Sequence, residues 1–187
     1  MTDLSPAFSR LLTPQRLAGL DGRSISETAT EAERRAVAEA FGLLGLGALR
    51  IEARIAREGR EGWRVEGRVV AEAVQECVVS LEPVAAPVDE PFLRRYDPAA
   101  TEETAEAVVD PEAEDPPEPL GHGIDLGLVA METLALALDP YPRAPGAAFE
   151  PVLAAPEGVE PMTDEAAKPF AGLAALKSRL GGEGGGA

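Results

Sequence analysis

Two stretches of alternating residues decide the fold: Leu49-Arg50-Ile51-Glu52-Ala53-Arg54-Ile55 and Trp63-Arg64-Val65-Glu66-Gly67-Arg68-Val69. Every second position in each stretch is charged, and the positions between them are apolar or glycine. Successive side chains of a β-strand point to opposite faces, so the alternation indicates half-buried strands with one charged face. The glycines at 59 and 62 between the two stretches suit a hairpin turn. We therefore predict an antiparallel hairpin.

Weaker strand signals flank this hairpin. The run 71–81 is mostly apolar and indicates a further strand, or a continuation of the hairpin strand through a bulge. The segment Val84–Phe92 contains Pro87 and Pro91, which lack backbone donors, so we expect an edge strand or an extended segment there. An earlier short strand is expected at one of two places, Phe8–Leu12 or Ser24–Ser26.

Three helices are predicted. The Thr30–Glu33 quartet has capping-box spacing and precedes a periodic run, which predicts a helix over about 31–41. Asp125 is a candidate N-cap for a helix over Leu126–Leu138, which is apolar on nearly every face and should lie buried across the sheet. A short amphipathic helix is expected over Pro169–Leu180. Together these elements predict an α+β fold, in which a buried helix covers an antiparallel sheet or an open, barrel-like sheet.

Charge divides the chain of 187 residues, whose 17 basic and 33 acidic residues give a net charge of −16. Residues 1–97 hold 13 basic and 16 acidic residues, whereas residues 98–187 hold 4 and 17, so the second half carries −13 of the total. The stretch 99–119 has eight acidic residues, no basic ones and four prolines, which favours an acidic disordered loop. The predicted organisation is a single domain with these parts: the N-terminal helix and strands in 1–98, the acidic loop in 99–120, the buried helix, Pro-rich connector and C-terminal helix in 121–180, and a flexible Gly-rich tail in 181–187.

The sequence shows no pattern that is typical of a catalytic site or a metal site. The chain has one cysteine, Cys77, and one histidine, His122, so ordinary Cys/His zinc sites are nearly excluded. His122 lies between two glycines, which favours a turn over a general base or a metal ligand. Cys77 lacks a neighbouring cation that would lower its pKa, which favours a buried strand cysteine over a nucleophile. We expect no catalytic residues, no metal and no cofactor.

Localisation follows from hydropathy. The first ten residues lack a secretory pattern, and the apolar run Ile124–Leu138 is too short to span a bilayer. We therefore expect a cytoplasmic protein with no membrane partner. The net charge of −16 argues against a surface that binds nucleic acid indiscriminately, but it does not exclude a local basic strip.

The strongest binding candidates are arginines of the hairpin. Arg50, Arg54, Arg64 and Arg68 should project from its charged face, where a cluster would suit phosphates or a carboxylate-rich partner. The alternative is a cross-strand ladder of weak ion pairs with Glu52, Glu66 and Glu72. Two further arginines in the next extended segment could enlarge the cluster: Arg94 and Arg95.

An ordered set of segments resembles the YceD family of large ribosomal RNA subunit accumulation proteins, and most closely its alphaproteobacterial branch. The resemblance covers about residues 45–178. It is carried by these segments: Cys77–Val84, Glu90–Phe92, Tyr96–Pro98, Ile124–Val129, Leu136–Gly146 and Lys168–Leu173. Many family members have a Cys-x-Arg-Cys-Leu pattern, of which this chain keeps Cys77 but has Val79 and Ser80 in place of the arginine and the second cysteine.

The resemblance implies a non-enzymatic ribosome-biogenesis factor that supports accumulation or processing of large-subunit ribosomal RNA, with direct RNA binding as one route. The implied partner is that RNA or its precursor, not DNA. Tyr141 and Arg143 could present a planar surface to a base or to a protein, although a rigid proline turn is the alternative. A second hypothesis is a protein–protein adaptor whose acidic segment 99–119 binds a basic ribosomal or RNA-processing protein. A third is an enzyme that uses His122.

Overall fold

The computed structural model describes residues 6–101 and 116–148. Within these ranges the elements follow one another in this order: β1 (Leu11–Leu12), α1 (Pro14–Gly19), β2 (Arg23–Thr28), α2 (Glu31–Ala40), β3 (Gly45–Glu58), β4 (Gly62–Glu76), β5 (Pro83–Asp97), β6 (Glu118–Pro119), β7 (Ile124–Asp125) and α3 (Leu126–Ala137).

The predicted α+β fold is confirmed. Five strands form one sheet in the order β2-β3-β4-β5-β6, in which every pairing is antiparallel except the short parallel pairing of β5 with β6. A second sheet of two strands joins β1 to β7. The larger sheet is open, with β2 at one end and β6 at the other.

The predicted hairpin is the centre of this sheet. Ile51 lies opposite Val69 and Ile55 lies opposite Val65, so the apolar positions of β3 and β4 share one face. The run 71–76 continues β4 without a break, and the irregularity in the ladder falls on β3, between Leu46 and Leu49. Residues after Glu76 form a turn, so the prediction of strand through 81 was wrong at that end.

Helix α3 crosses the inner face of the sheet and contacts β3, β4 and β5. Its residues Leu126, Ala130 and Leu134 have no exposed surface. The expectation that the whole helix is deeply buried was wrong, because Leu128 is 43% exposed and Leu136 is 80% exposed. A helix on one side of a single sheet buries only the face that meets the strands, whatever its composition.

Both predicted helix caps are confirmed. Thr30 Oγ1 accepts the Glu33 amide hydrogen bond at 3.3 Å, and Glu33 Oε2 accepts the amide of Thr30 at 2.7 Å. Arg10 Nη1 contacts Glu33 Oε1 at 2.7 Å, and this guanidinium is the main reason why the pKa of Glu33 falls to about 2. Asp125 Oδ1 caps α3 by accepting the amides of Gly127 at 2.9 Å and Leu128 at 3.3 Å.

The remaining predictions concern the early strand, the acidic loop and the C-terminal segments. Both places for an early strand are occupied, by β1 and by β2. The predicted loop over 99–120 has an ordered end, because β6 pairs with β5 and Leu120 is buried. Other segments lie outside the described residues: most of the acidic loop (102–115), the predicted helix Pro169–Leu180 and the tail 181–187.

Candidate nucleic-acid interface

The side of the large sheet that faces away from α3 carries most of its charges. We call this surface the outer face. Its centre holds five arginines and five acidic residues, so the charges balance. They are Arg50, Arg54, Arg64, Arg68, Arg95, Glu52, Glu58, Glu66, Glu72 and Asp89. The alternation in the sequence therefore placed the four hairpin arginines together, as expected.

Four of the five arginines form an ion pair with an acidic side chain. Arg68 forms a two-point ion pair with Asp89 on β5, and Arg68 holds the pKa of Asp89 below its ordinary value. The other three pairs have these distances: Arg50 Nη2 to Glu52 Oε1 3.0 Å, Arg64 Nη2 to Glu66 Oε2 2.8 Å, and Arg95 Nε to Glu58 Oε2 2.9 Å. Much of the predicted cluster is thus neutralised locally. The alternative of a cross-strand ladder is met only in part, because Arg50–Glu52 and Arg64–Glu66 are pairs within one strand and Glu72 forms no ion pair among the described residues.

Arg54 differs from the other arginines of the outer face. Its side chain is exposed and, among the described residues, forms neither an ion pair nor a hydrogen bond. It lies opposite Ser24 on β2 and opposite Glu66 on β4, whose carboxylate is bonded to Arg64. The guanidinium of Arg54 therefore has its donors available for an anion.

Arg54 lines a groove of about 770 Å³ on this face, which we call the outer groove. Ser24 and Ser26 form its β2 side, and their hydroxyls make no hydrogen bond within the described ranges. Arg68 and Asp89 line its other side. The groove thus combines one unpaired cation with two free hydroxyls, a donor set that suits a single phosphate or carboxylate. Sequence reasoning missed the two serines, because β2 gave only a weak strand signal.

Arg94 does not extend this face, which corrects the sequence-based expectation. It lies opposite Val65 on β4 and shares the inner face with α3. There its Nε is 3.3 Å from Glu118 Oε1 and its Nη2 is 3.8 Å from Glu132 Oε2. Burial, and secondarily the charge of Glu132, raises the pKa of Glu118. Alternate residues of one strand face opposite sides, so Arg94 and Arg95 could not both join the cluster.

Tyr141 and Arg143 also lie apart from the outer groove. Both are exposed on the loop after α3, and Tyr141 is 71% exposed. The loop is attached to the turn after β4, where the amide of Val78 donates to the Pro142 carbonyl at 2.9 Å. This turn is about 30 Å along β4 from Arg68, at about 3.3 Å per residue. The structure therefore does not join these two residues to the arginines.

Cys77 lies in that same turn and is fully buried, but it is not in a strand as predicted. Its Sγ accepts amide hydrogen bonds from Ala144 at 3.2 Å, Ser80 at 3.3 Å and Val79 at 3.4 Å. These donors, Ala144 foremost, lower the pKa of Cys77 to about 6. The sequence suggested no such shift because the strongest donor is 67 residues away. The buried sulfur of Cys77 therefore joins the loop after α3 to this turn.

His122 is exposed in the turn before β7, and no hydrogen bond orients its ring within the part of the chain that the structure describes. In the same part, no group of three or more His, Cys, Asp or Glu side chains could hold a metal ion. No helix in residues 6–101 and 116–148 is long and apolar enough to cross a membrane.

The fold and this surface define an α+β protein with a charged, grooved sheet face and a helix on the opposite side. The family model described as "Large ribosomal RNA subunit accumulation protein YceD" matches residues 65–177. The match covers more than half of the chain, so the protein belongs to the YceD family. The resemblance expected from the sequence is confirmed, and it links the chain to accumulation of large-subunit ribosomal RNA. No curated protein and no solved structure gave a significant match.

Proposed function

We propose that this protein supports accumulation of large-subunit ribosomal RNA in the cytoplasm by binding the RNA or its precursor directly, without catalysing a reaction. The observation that carries the proposal is the unpaired guanidinium of Arg54 beside the free hydroxyls of Ser24 and Ser26. Charge-assisted hydrogen bonds to phosphate are among the strongest that a protein forms, and Arg presents them in a planar fork.

The balance of charges on the outer face limits what this contact can be. Five arginines opposed by five acidic residues cannot neutralise a long run of phosphates, and the whole chain carries −16. Binding should therefore involve few phosphates and depend weakly on salt, because each neutralised phosphate of a single strand contributes a slope of about 0.7 in log K against log salt. Such an interface suits one position on a folded RNA better than indiscriminate coating.

The experiment compares Arg54→Glu with the parent protein by crosslinking in growing cells and sequencing the attached RNA. Enrichment of one region of large-subunit precursor RNA is expected for the parent protein and loss of it for the variant. Binding of a folded RNA fragment that spans that region should weaken by about 10-fold or more, since a hydrogen bond to a charged group contributes about 1.5–3 kcal/mol.

Arg35→Glu provides the matched control. Arg35 is exposed on α2, and its reversal changes the net charge by the same amount while leaving the outer groove intact. Equal losses for the two variants would attribute the effect to net charge and overturn the proposed site. Undiminished crosslinking of a folded Arg54→Glu protein would remove Arg54 from RNA binding altogether.

A second candidate function is a protein–protein adaptor that engages a basic ribosomal or RNA-processing protein. The concentration of −13 of the net charge in residues 98–187 favours it. Electrostatic complementarity of this kind accelerates association and makes it sensitive to salt.

Replacing the seven acidic residues of 102–115 by their amides tests the adaptor. We expect the amide variant to lose a basic protein partner that the parent chain retains in purification at low salt. Crosslinked RNA should persist in this variant if RNA contact is direct. An unchanged set of bound proteins would contradict the adaptor.

A further inference from the structure

The two long edges of the large sheet differ in whether their backbone groups are free to pair with a further strand. At β2, Ala29 lies opposite Leu49 and its amide donates to the Leu49 carbonyl at 2.9 Å. Hydrogen-bonded pairs alternate along an antiparallel ladder, so Ser24, Ser26 and Thr28 direct their amides and carbonyls away from β3. The Thr28 carbonyl agrees with this assignment, because it accepts a hydrogen bond from Arg10 Nη2 at 3.4 Å.

The outward groups of Ser24 and Ser26 have no partner within the described residues, and both residues are exposed. Neither proline nor a bulge protects this stretch of β2. An unprotected strand edge is a template for pairing with another strand.

At the opposite edge, β5 is protected. Pro83, Pro87 and Pro91 are four residues apart, so their backbone nitrogens point the same way. Proline cannot donate to the ladder, which places these nitrogens on the side away from β4. Three possible donors along this edge are therefore missing, and β6 covers the edge at Tyr96 and Asp97.

We propose that β2 pairs antiparallel with β2 of a second copy of this chain, about a two-fold axis at Ile25. The two five-stranded sheets would then become one continuous sheet. The proposal does not depend on RNA binding, because it rests on backbone groups and on residues of the inner side of β2.

Charge complementarity selects the second copy as the occupant of this edge. With Ile25 opposite Ile25 of the partner subunit, Ser24 and Ser26 form the hydrogen-bonded pairs, with four bonds in all. Arg23 then lies opposite Glu27 of the partner subunit, and the symmetry repeats this pair. These are non-hydrogen-bonded positions, where side chains approach most closely. Arg10 Nε already contacts Glu27 Oε2 at 3.2 Å within each copy, so Arg23 would bind the other carboxylate oxygen, Oε1, which has no partner among the described residues.

Shifted registers are less favourable. Moving the strands by two residues places Arg23 opposite Ile25 or Ala29 of the partner subunit and separates the opposite charges. The shift toward the C-terminal end of β2 also requires the Thr28 carbonyl, which Arg10 already occupies. The strand sequence Arg23-Ser-Ile-Ser-Glu27 is thus complementary to itself in one antiparallel register.

Dimerisation through β2 would place two copies of the outer groove next to each other. Ser24 and Ser26 form its β2 side, so pairing at β2 brings the grooves of the two copies side by side on one surface. The Arg54 side chains of both copies could then bind one ligand. Once the first had bound, the second would act within the same complex, at a high effective concentration.

Sedimentation velocity across a concentration series of the full chain tests the dimer. The parent protein is expected to show a reversible monomer–dimer equilibrium, and Ser26→Pro is expected to remain monomeric. The proline removes an amide that the monomer does not use, so the melting temperature should be preserved at concentrations where the parent is also monomeric. Ala85→Pro is the matched control, because residue 85 has the parity of Pro83 and Pro87 on the protected edge. This variant should dimerise like the parent.

Two further measurements define the interface. Arg23→Glu should weaken dimerisation by placing like charges opposite each other. In the parent protein, hydrogen exchange of the Ser24 and Ser26 amides should slow as the protein concentration rises. In Ser26→Pro, exchange of the Ser24 amide should stay fast at every concentration. A chain that stays monomeric at its highest soluble concentration, or a dimer that Ser26→Pro leaves intact, would overturn the proposal.

Discussion

Replacing Gly67 with alanine is expected to destabilise the fold more than any other single methyl addition to the sheet. A Cβ atom built at Gly67 would lie 1.8 Å from the carbonyl oxygen of Glu52 and 2.9 Å from the Cα of Ala53. Both contacts are with the backbone of β3, which cannot rotate away as a side chain can. The strands must therefore separate at the centre of the sheet.

The expected cost for Gly67→Ala is about 3 kcal/mol or more, the upper end of what overpacking costs. That is a large share of the roughly 5–15 kcal/mol by which domains are stable. Thermal unfolding followed by circular dichroism measures it. Gly45→Ala on β3 is the control, because its nearest neighbour would be Val74 Cγ2 at 4.0 Å. Equal melting temperatures for the two variants would contradict the close contact of β3 with β4.

Replacing Asp125 with alanine should have the next largest effect, because one carboxylate joins two parts of the chain. Its Oδ1 caps α3 and also accepts the amide of Arg10 at 2.6 Å, while its Oδ2 accepts the Ser9 hydroxyl at 2.5 Å. Losing a cap costs about 1 kcal/mol, and leaving a buried donor unsatisfied costs about 1–3 kcal/mol. We expect a total of about 2–4 kcal/mol and a melting temperature lower by about 5–15 °C.

Asp125→Asn separates the two roles of this side chain. Asparagine is as good an N-cap as aspartate, so the start of α3 should survive, while the charge that holds Ser9 and Arg10 is lost. Its stability should therefore fall between the parent and the alanine variant in denaturant unfolding. If both variants unfold at the parent's midpoint, the carboxylate does not join the N-terminal segment to α3.

Local patterns in the sequence predicted the elements that depend on near neighbours. The alternation around Ile51 and Val65 predicted the hairpin, and the spacing of Thr30 and Glu33 predicted the start of α2; both were confirmed. These features need only backbone periodicity and contacts within a few residues. The same alternation could have placed Arg94 correctly from the sequence. Arg94 lies two residues from Phe92 and from Tyr96, so these three side chains must share one face of β5, and Leu93 and Arg95 must lie on the other.

Contacts between distant segments could not be predicted in this way. The surroundings of Arg54 come from other strands, because Ser24 and Ser26 of β2 form one side of the outer groove and Asp89 of β5 binds Arg68 on the other. The exposure of Leu136 follows from which side of α3 the sheet occupies, and an apolar helix gives no sign of that side.

Residue order alone set the alternation of β3 and β4, the caps of α2 and α3, the uneven charge and the family, because each is carried by neighbouring residues. Tertiary packing decided the rest. It brought Ala144 to the sulfur of Cys77, placed Ser24 opposite Arg54, and left the edge of β2 open while prolines closed that of β5. Strand pairing joins residues far apart in the chain, so which charges are neutralised and which backbone groups stay free is settled only when the sheet forms.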